Sequence, residues 1–241
     1  MLDLGLVALL VCAGVVVLGS VVQGTVGFGL ALVASPVLVL VEPALVPAAM
    51  LVVSGLLPWT TLAQEWRHID WFGLRWSLAG RMVGTAVGVW VVAHLGVQGV
   101  AVTVALMVLF SVLVTVSGIS LPVNRPNLAV AGALGGVGGT AAAIGGPPLA
   151  VLYSRETGPR IRATLAAFFA VGHVVSLGAL LAAGAVDSGA LLVGLVLLPA
   201  TLVGAWLARR WRHHLDAGRT RPAVLAVASV SAVVLLVRAL F

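Results

Sequence analysis

The chain has 241 residues, of which 61% are hydrophobic and 8% charged, and its mean hydropathy is +1.21. A soluble domain carries roughly 25% charged residues, so too little polar surface exists here to coat a globule in water. Soluble enzymes, disulfide-stapled secreted domains and nucleic-acid-binding modules are excluded together. The net charge of +6 comes entirely from arginine, since the 13 basic residues include no lysine. In a membrane protein their placement reports topology rather than affinity for nucleic acid.

At roughly 24 residues per crossing with its connection, the chain holds about ten hydrophobic segments. They fall at 4–22, 28–41, 44–63, 77–95, 97–118, 127–138, 142–154, 162–184, 188–207 and 222–240. The first begins MLDLGLVALLVC, which lacks a basic start, so a cleaved signal peptide is not expected. Cys12 stands alone inside it, which leaves no intrachain disulfide and no expected metal or redox role. A glycine-rich break, Gln23-Gly24-Thr25-Val26-Gly27-Phe28-Gly29, separates the first two segments and is followed by Ser35-Pro36.

The third segment ends in the polar stretch Gln64–Arg75. The fourth carries Arg81 about one turn inside its start, where snorkelling to the interface is expected and a part in coupling is the alternative. The sixth and seventh segments contain Gly135-Gly136-Val137-Gly138-Gly139-Thr140 and then Gly145-Gly146-Pro147-Pro148. Both are short for a hydrocarbon core of about 30 Å at about 1.5 Å per residue, so they read as half-helices or arms of a re-entrant hairpin. The eighth segment places His173 in its middle with Ser176 one turn along. That histidine either hydrogen-bonds a neighbouring helix or serves proton coupling or anion contact.

If every segment crosses, twelve of the thirteen arginines fall on one face. They lie near the third-to-fourth connection (Arg67, Arg75, Arg81), the fifth-to-sixth (Arg125), the seventh-to-eighth (Arg155, Arg160, Arg162) and the ninth-to-tenth (Arg209, Arg210, Arg212, Arg219, Arg221). Only Arg238 lies near the other face. The positive-inside rule then puts both termini outside and the arginine loops in the cytoplasm of a cell whose plasma (inner) membrane holds the chain. Trp59, Trp66, Trp71 and Trp76 bracket one such loop and Trp206 and Trp211 flank another, as an interfacial belt does.

The two halves resemble each other. Gly24, Gly27, Ala31, Pro36, Val39, Leu40 and Pro47 meet Gly136, Gly139, Ala143, Pro148, Val151, Leu152 and Pro159 at one offset. Thr85-Ala86-Val87-Gly88-Val89-Trp90 meets Thr201-Leu202-Val203-Gly204-Ala205-Trp206 at a nearby one, sharing T-x-V-G-x-W. With five segments each, an odd number, repeat 1 (about 1–118) and repeat 2 (about 127–241) must insert upside down relative to each other. The expected architecture is therefore an all-α integral membrane protein, one transmembrane domain of two inverted-topology repeats with 8–10 transmembrane or re-entrant segments. Inverted repeats mark secondary transporters, whose site lies near the midplane where the repeats meet.

Glycines let the backbone approach a ligand, and a helix restarting inside the membrane offers free N–H groups and a positive dipole end to an anion. The competing explanation is close helix packing through small residues. The expected substrate site comprises Gln23, Gly24, Thr25, Gly27, Phe28, Ser35 and Pro36 from the first half. Gly136, Gly139, Thr140, Gly145, Gly146, Pro147 and Pro148 come from the second, with His173 and Arg81 as coupling candidates. No carboxylate falls at mid-segment, whereas cation carriers usually need one. The cargo is thus expected to be a small anion.

The stretch Q-G-T-V-G-F-G with Ser35-Pro36, and above all G-G-T-x4-G-G-P-P-L-A-V-L-Y leading to R-I-R-A-T, resembles the two halves of the TauE/SafE family of membrane transporters. The resemblance implies a multi-spanning protein that exports small anions such as sulfite or organosulfonates, coupled to a gradient of protons or Na+, without a cofactor. It leaves a homodimer open. One departure is that Leu32-Val33-Ala34-Ser35 replaces a second glycine run before Pro36, so the two half-sites are not expected to contribute equally. An anion channel of the same architecture is one alternative. An intramembrane enzyme built on His173 and Ser176 is the other, disfavoured because neither G-x-S-x-G nor H-E-x-x-H occurs.

Overall fold

A computed structural model describes residues 5–156, 158–211 and 217–240. Every regular element among them is helical: α1 (Leu6–Val26), α2 (Leu30–Val41), α3 (Ala48–Glu65), α4 (Trp71–His94), α5 (Gly96–Val116), α6 (Arg125–Ala141), α7 (Pro147–Leu152), α8 (Gly158–Ala182), α9 (Ser188–Trp211) and α10 (Ala217–Leu240). In hydrocarbon each backbone N–H and C=O must be bonded inside the chain, which is why apolar runs of this composition become helices. Five stretches are long and apolar enough to cross: Leu6–Gly24, Trp71–His94, Gly96–Val116, Gly158–Ala182 and Ser188–Arg210. The surface suits a bilayer. Leu6, Val83, Leu113 and Val174 are largely exposed, as are Trp59, Trp66, Trp71 and Trp206, while Ser35, Arg81, Thr140 and Ser176 are buried.

The first break is narrow. Gly27 (φ 94) closes α1 in the left-handed conformation, its N–H donating to Gln23 O, and Gly29 (φ 126) turns the chain into α2. Both conformations favour glycine. The Gln23 side chain caps the restart, its Oε1 accepting from Leu30 N–H at 3.3 Å. Leu32 to Ser35 are helical, so the missing glycine run of the first half is simply helix. At 12 residues, or about 18 Å, α2 reaches about halfway back across a membrane.

The second break is wider. α6 spans 17 residues and α7 only six, or about 25 Å and 9 Å, with residues 142–146 unwound between them. Ala143 sits at φ 58, a conformation uncommon for a residue with a Cβ. At about 9 Å, α7 does not cross. The ends of the pair show where it returns: Arg125 at the start of α6 stacks on Trp76 of α4, and Tyr153 just after α7 bonds Asp70 at the start of α4. Thus α6 and α7 form a re-entrant hairpin that enters and leaves at the arginine-rich end.

The most extensive helix pairs run crosswise between the chain halves: α4 on α6, α1 on α9, α3 on both α8 and α9, and α5 on α10. Small residues set the spacing. Gly80 and Gly84 of α4 lie against the Ala129 and Ala133 carbonyls of α6 so closely that a Cβ would strike them. Gly204 of α9 meets Val17 and Ser20 of α1 in the same way.

Candidate anion site between two helix breaks

The two breaks, far apart in sequence, come together. A cavity of about 20 Å³ is lined by Gln23, Phe28 and Gly29 from the first and by Ala143, Ile144, Gly145, Gly146 and Pro147 from the second. Its remaining wall includes Ser54 of α3 and Phe169 and His173 of α8. Ser35 ties the breaks to each other, donating to Ala142 O at 2.7 Å. That volume accommodates about one water. A second cavity of about 70 Å³ opens toward the arginine-rich end, lined by Gln23, Gly24, Gly27, Thr60, Glu65, Arg162, Phe169 and Arg209 among others. Gln23 and Phe169 border both spaces and so partition them.

His173 is held at both ring nitrogens. Nδ1 lies 2.6 Å from Phe169 O, a carbonyl that only accepts, so Nδ1 carries the proton and donates. Nε2 lies 2.9 Å from Ser54 Oγ, which is also 2.5 Å from Met50 O. One hydroxyl proton cannot serve both acceptors. With Nε2 unprotonated, Ser54 donates to it; with Nε2 protonated, Ser54 receives that proton's bond and donates to Met50 O instead.

Arg81 lies ten residues beyond the start of α4 at the exposed Trp71, about 15 Å along the axis and so near half the thickness of the core. It does not snorkel. The residue is 1% exposed. Helix α4 begins six residues earlier than hydropathy implies, because Trp71 to Trp76 mixes aromatic, basic and apolar residues yet is helical. That extension moves Arg81 from the first turn to mid-helix. Its Nη2 donates to Ser176 Oγ at 3.4 Å, and Ser176 pairs with Thr140 Oγ1 at 2.8 Å. The guanidinium lies over the Phe168 ring, with Cζ 4.6 Å from the centroid. Among the described residues its Nε and Nη1 have no hydrogen-bond partner.

Behind the site, Tyr153 just after α7 and residues of α8 clasp the α3–α4 connection. Tyr153 donates to Asp70 Oδ2 at 2.7 Å, Asp70 N–H donates to Thr164 Oγ1 at 3.0 Å, and Arg160 lies 3.5 Å from Asp70. Arg162 forks onto Glu65 with Nη2–Oε1 at 2.6 Å and Nε within 3.2 Å of both oxygens. The Y…R-I-R-A-T residues of the sequence motif are therefore the rivets that hold the re-entrant hairpin and α8 to the end of α3. With glycine breaks, hairpin and clasp in place, the sequence profile for the sulfite exporter TauE/SafE family matches residues 11–235. The chain belongs to the TauE/SafE family. No curated protein and no solved structure matches it.

This TauE/SafE chain distributes its expected site residues over three settings. Gln23, Phe28, Gly145, Gly146 and Pro147 line the inner cavity, and Gln23, Gly24 and Gly27 line the outer one. Gly139 and Thr140 lie at the Arg81 guanidinium. Gly136 packs against the Arg81 backbone and Gly24 also against Ala208, while Pro36 and Pro148 line neither space. The Thr25 side chain and residues 212–216, which include Arg212, lie outside the described residues. Pro147 and Pro148 occupy the first turn of α7 and offer no N–H, so that short helix is a poor donor of backbone hydrogen bonds to an anion. Ser176 is engaged with Thr140 and Arg81, and His173 with Ser54, so the structure bonds each to other partners. Ser54, Phe168, Phe169 and Gly172 escaped the sequence reading. Only Ser54, a lone hydroxyl in an apolar run, carried any signal.

Proposed function

We propose that this chain is a secondary carrier that exports a small anion, such as sulfite or an organosulfonate, across the plasma (inner) membrane by alternating access. The observation that carries the reading is that both helix breaks line one cavity, with a buried guanidinium beside it and no carboxylate in its wall. Discontinuous helices meeting at a common space are the expected binding architecture of such carriers. The crosswise packing of α4 on α6 and α1 on α9 supports two inverted repeats within one transmembrane domain, and the arginine-rich end supports a cytoplasmic placement of the outer cavity.

On this reading the anion loads from the outer cavity, passes the Gln23–Phe169 partition, and occupies an inner cavity that expands to receive it. A site that holds about one water is closed around its ligand position, so rocking of the hairpin or α2 must precede binding. The single proton shared by Ser54 makes His173 the coupling group. Protonation at Nε2 turns the hydroxyl toward Met50 O and changes the wall of the cavity.

A thermal-shift screen of the detergent-purified protein tests the assignment with sulfite, sulfate, thiosulfate, taurine, sulfoacetate and small carboxylates. A ligand at 100 times its Kd stabilises the folded state by about 2.7 kcal/mol. Selective stabilisation by a sulfur oxyanion or a sulfonate is expected. A flat response to every anion would overturn the anion assignment.

A further inference from the structure

Arginine stays protonated in proteins, so the Arg81 guanidinium brings a full positive charge into a site that is 1% exposed. Buried charges are normally paired. The three ion pairs among the described residues join Arg160 to Asp70, Arg160 to Glu156 and Arg162 to Glu65, all at the arginine-rich end, and none involves Arg81. One weak bond to Ser176 and the Phe168 face are its polar contacts. Nε and Nη1 are orphan donors, and Thr85 one turn along α4 adds an orphan hydroxyl.

The surroundings are shaped to admit this group. Three glycines from three elements face it: a Cβ on Gly172 of α8 would collide with Cζ, one on Gly139 of α6 would lie 2.9 Å from Nη2, and one on Gly145 of the break 3.4 Å from Nη1. Gly145 also lines the inner cavity. Gly145 therefore borders both the guanidinium and the space that both breaks enclose. A helix tie needs neither a charge nor three bare neighbours; a leucine or methionine would pack there without the several kcal/mol of desolvation that a buried ion costs.

We infer that Arg81 is the counter-charge for the transported anion, donating Nη1–H together with the second Nη2–H to two oxygens of a small, singly charged oxyanion or sulfonate, with the Thr140–Ser176 hydroxyl pair at its edge. The inference rests on the carrier reading and names the residue that recognises the cargo. One fixed cation sets the preference for a monoanion, and the planar fork favours two oxygens of one sulfur over a spherical halide.

The test compares the wild type with Arg81→Met and Arg81→Lys, purified in detergent, by calorimetric titration with sulfite, taurine and chloride and by melting without ligand. The expected result is at least about a 100-fold loss of sulfite or taurine affinity in Arg81→Met. Its ligand-free melting temperature should be unchanged or higher, because a buried unpaired charge has been removed. Arg81→Lys keeps the charge without the fork and should retain part of the affinity. Wild-type affinity in either variant would overturn the inference while leaving the carrier reading standing. So would an Arg81→Met protein that melts lower or fails to fold, the mark of a structural tie. A wild type that binds none of the three ligands would instead sink the carrier reading itself.

Discussion

Arg81 and Arg162 sit on neighbouring helices, α4 and α8, and carry the same group in opposite circumstances. Arg162 is 23% exposed and forks onto Glu65, with Gly27 of the first break against its stem. Arg81 pairs with no carboxylate among the described residues and is sealed among glycines and Phe168. The first arrangement is complete within the protein: charge meets charge at the mouth of the outer cavity, screened by water and salt. The second has donors left over where they are most costly, at mid-helix. Function is to be sought where the chain leaves a charge unmatched, and stability where it matches one.

The contrast can be attacked from the inner site outward. The largest effect is expected at His173: His173→Asn should abolish accumulation driven by a proton gradient in proteoliposomes while sparing exchange of anion for anion. Gradient-driven accumulation at the wild-type level would remove histidine from coupling. Gly172→Ala comes next, because its Cβ strikes Arg81 Cζ. Overpacking of this kind costs about 1–3 kcal/mol and should also displace the guanidinium, so both melting temperature and anion affinity should fall. Retention of both would mean that the pocket yields freely. Ser35→Ala leaves the Ala142 carbonyl without its donor and should cost about 1 kcal/mol, read by denaturation; no change would mean that the two breaks are not held to each other there. The smallest effect belongs to the outer pair. A double-mutant cycle of Arg162→Ala with Glu65→Ala should give a coupling of about 0.2–1 kcal/mol that shrinks in high salt. A coupling well above that, insensitive to salt, would make the clasp a buried pair rather than a surface one.

Much of this was legible in the sequence. Hydropathy announced the helices; Gly27-Phe28-Gly29 marked the first break because its glycines take left-handed backbone, and Gly145-Gly146-Pro147 marked the second, where the glycines allow close approach to Gly135, Phe28 and Phe169. What composition could not give was register and partnership. Trp71 to Trp76 reads as a polar connection but is the first turn and a half of α4, and that shift carries Arg81 from the interface to mid-helix. Gly136 and Gly139 lie one turn apart in one run, yet one packs against the Arg81 backbone and the other against its guanidinium. Hydropathy does not distinguish those glycines, because the difference depends on how α4 crosses α6. Ser54 became visible only when α3 met α8.

The central claim is that Arg81 and the two breaks form one carrier site, and counterflow in proteoliposomes addresses it most directly. Vesicles preloaded with unlabelled sulfite or taurine would be diluted into labelled substrate. A transient overshoot of label inside wild-type vesicles, dependent on the preloaded substrate, is expected, and its loss with Arg81→Met. Uptake indifferent to preloading would identify a channel, and an undiminished overshoot with Arg81→Met would place the anion elsewhere.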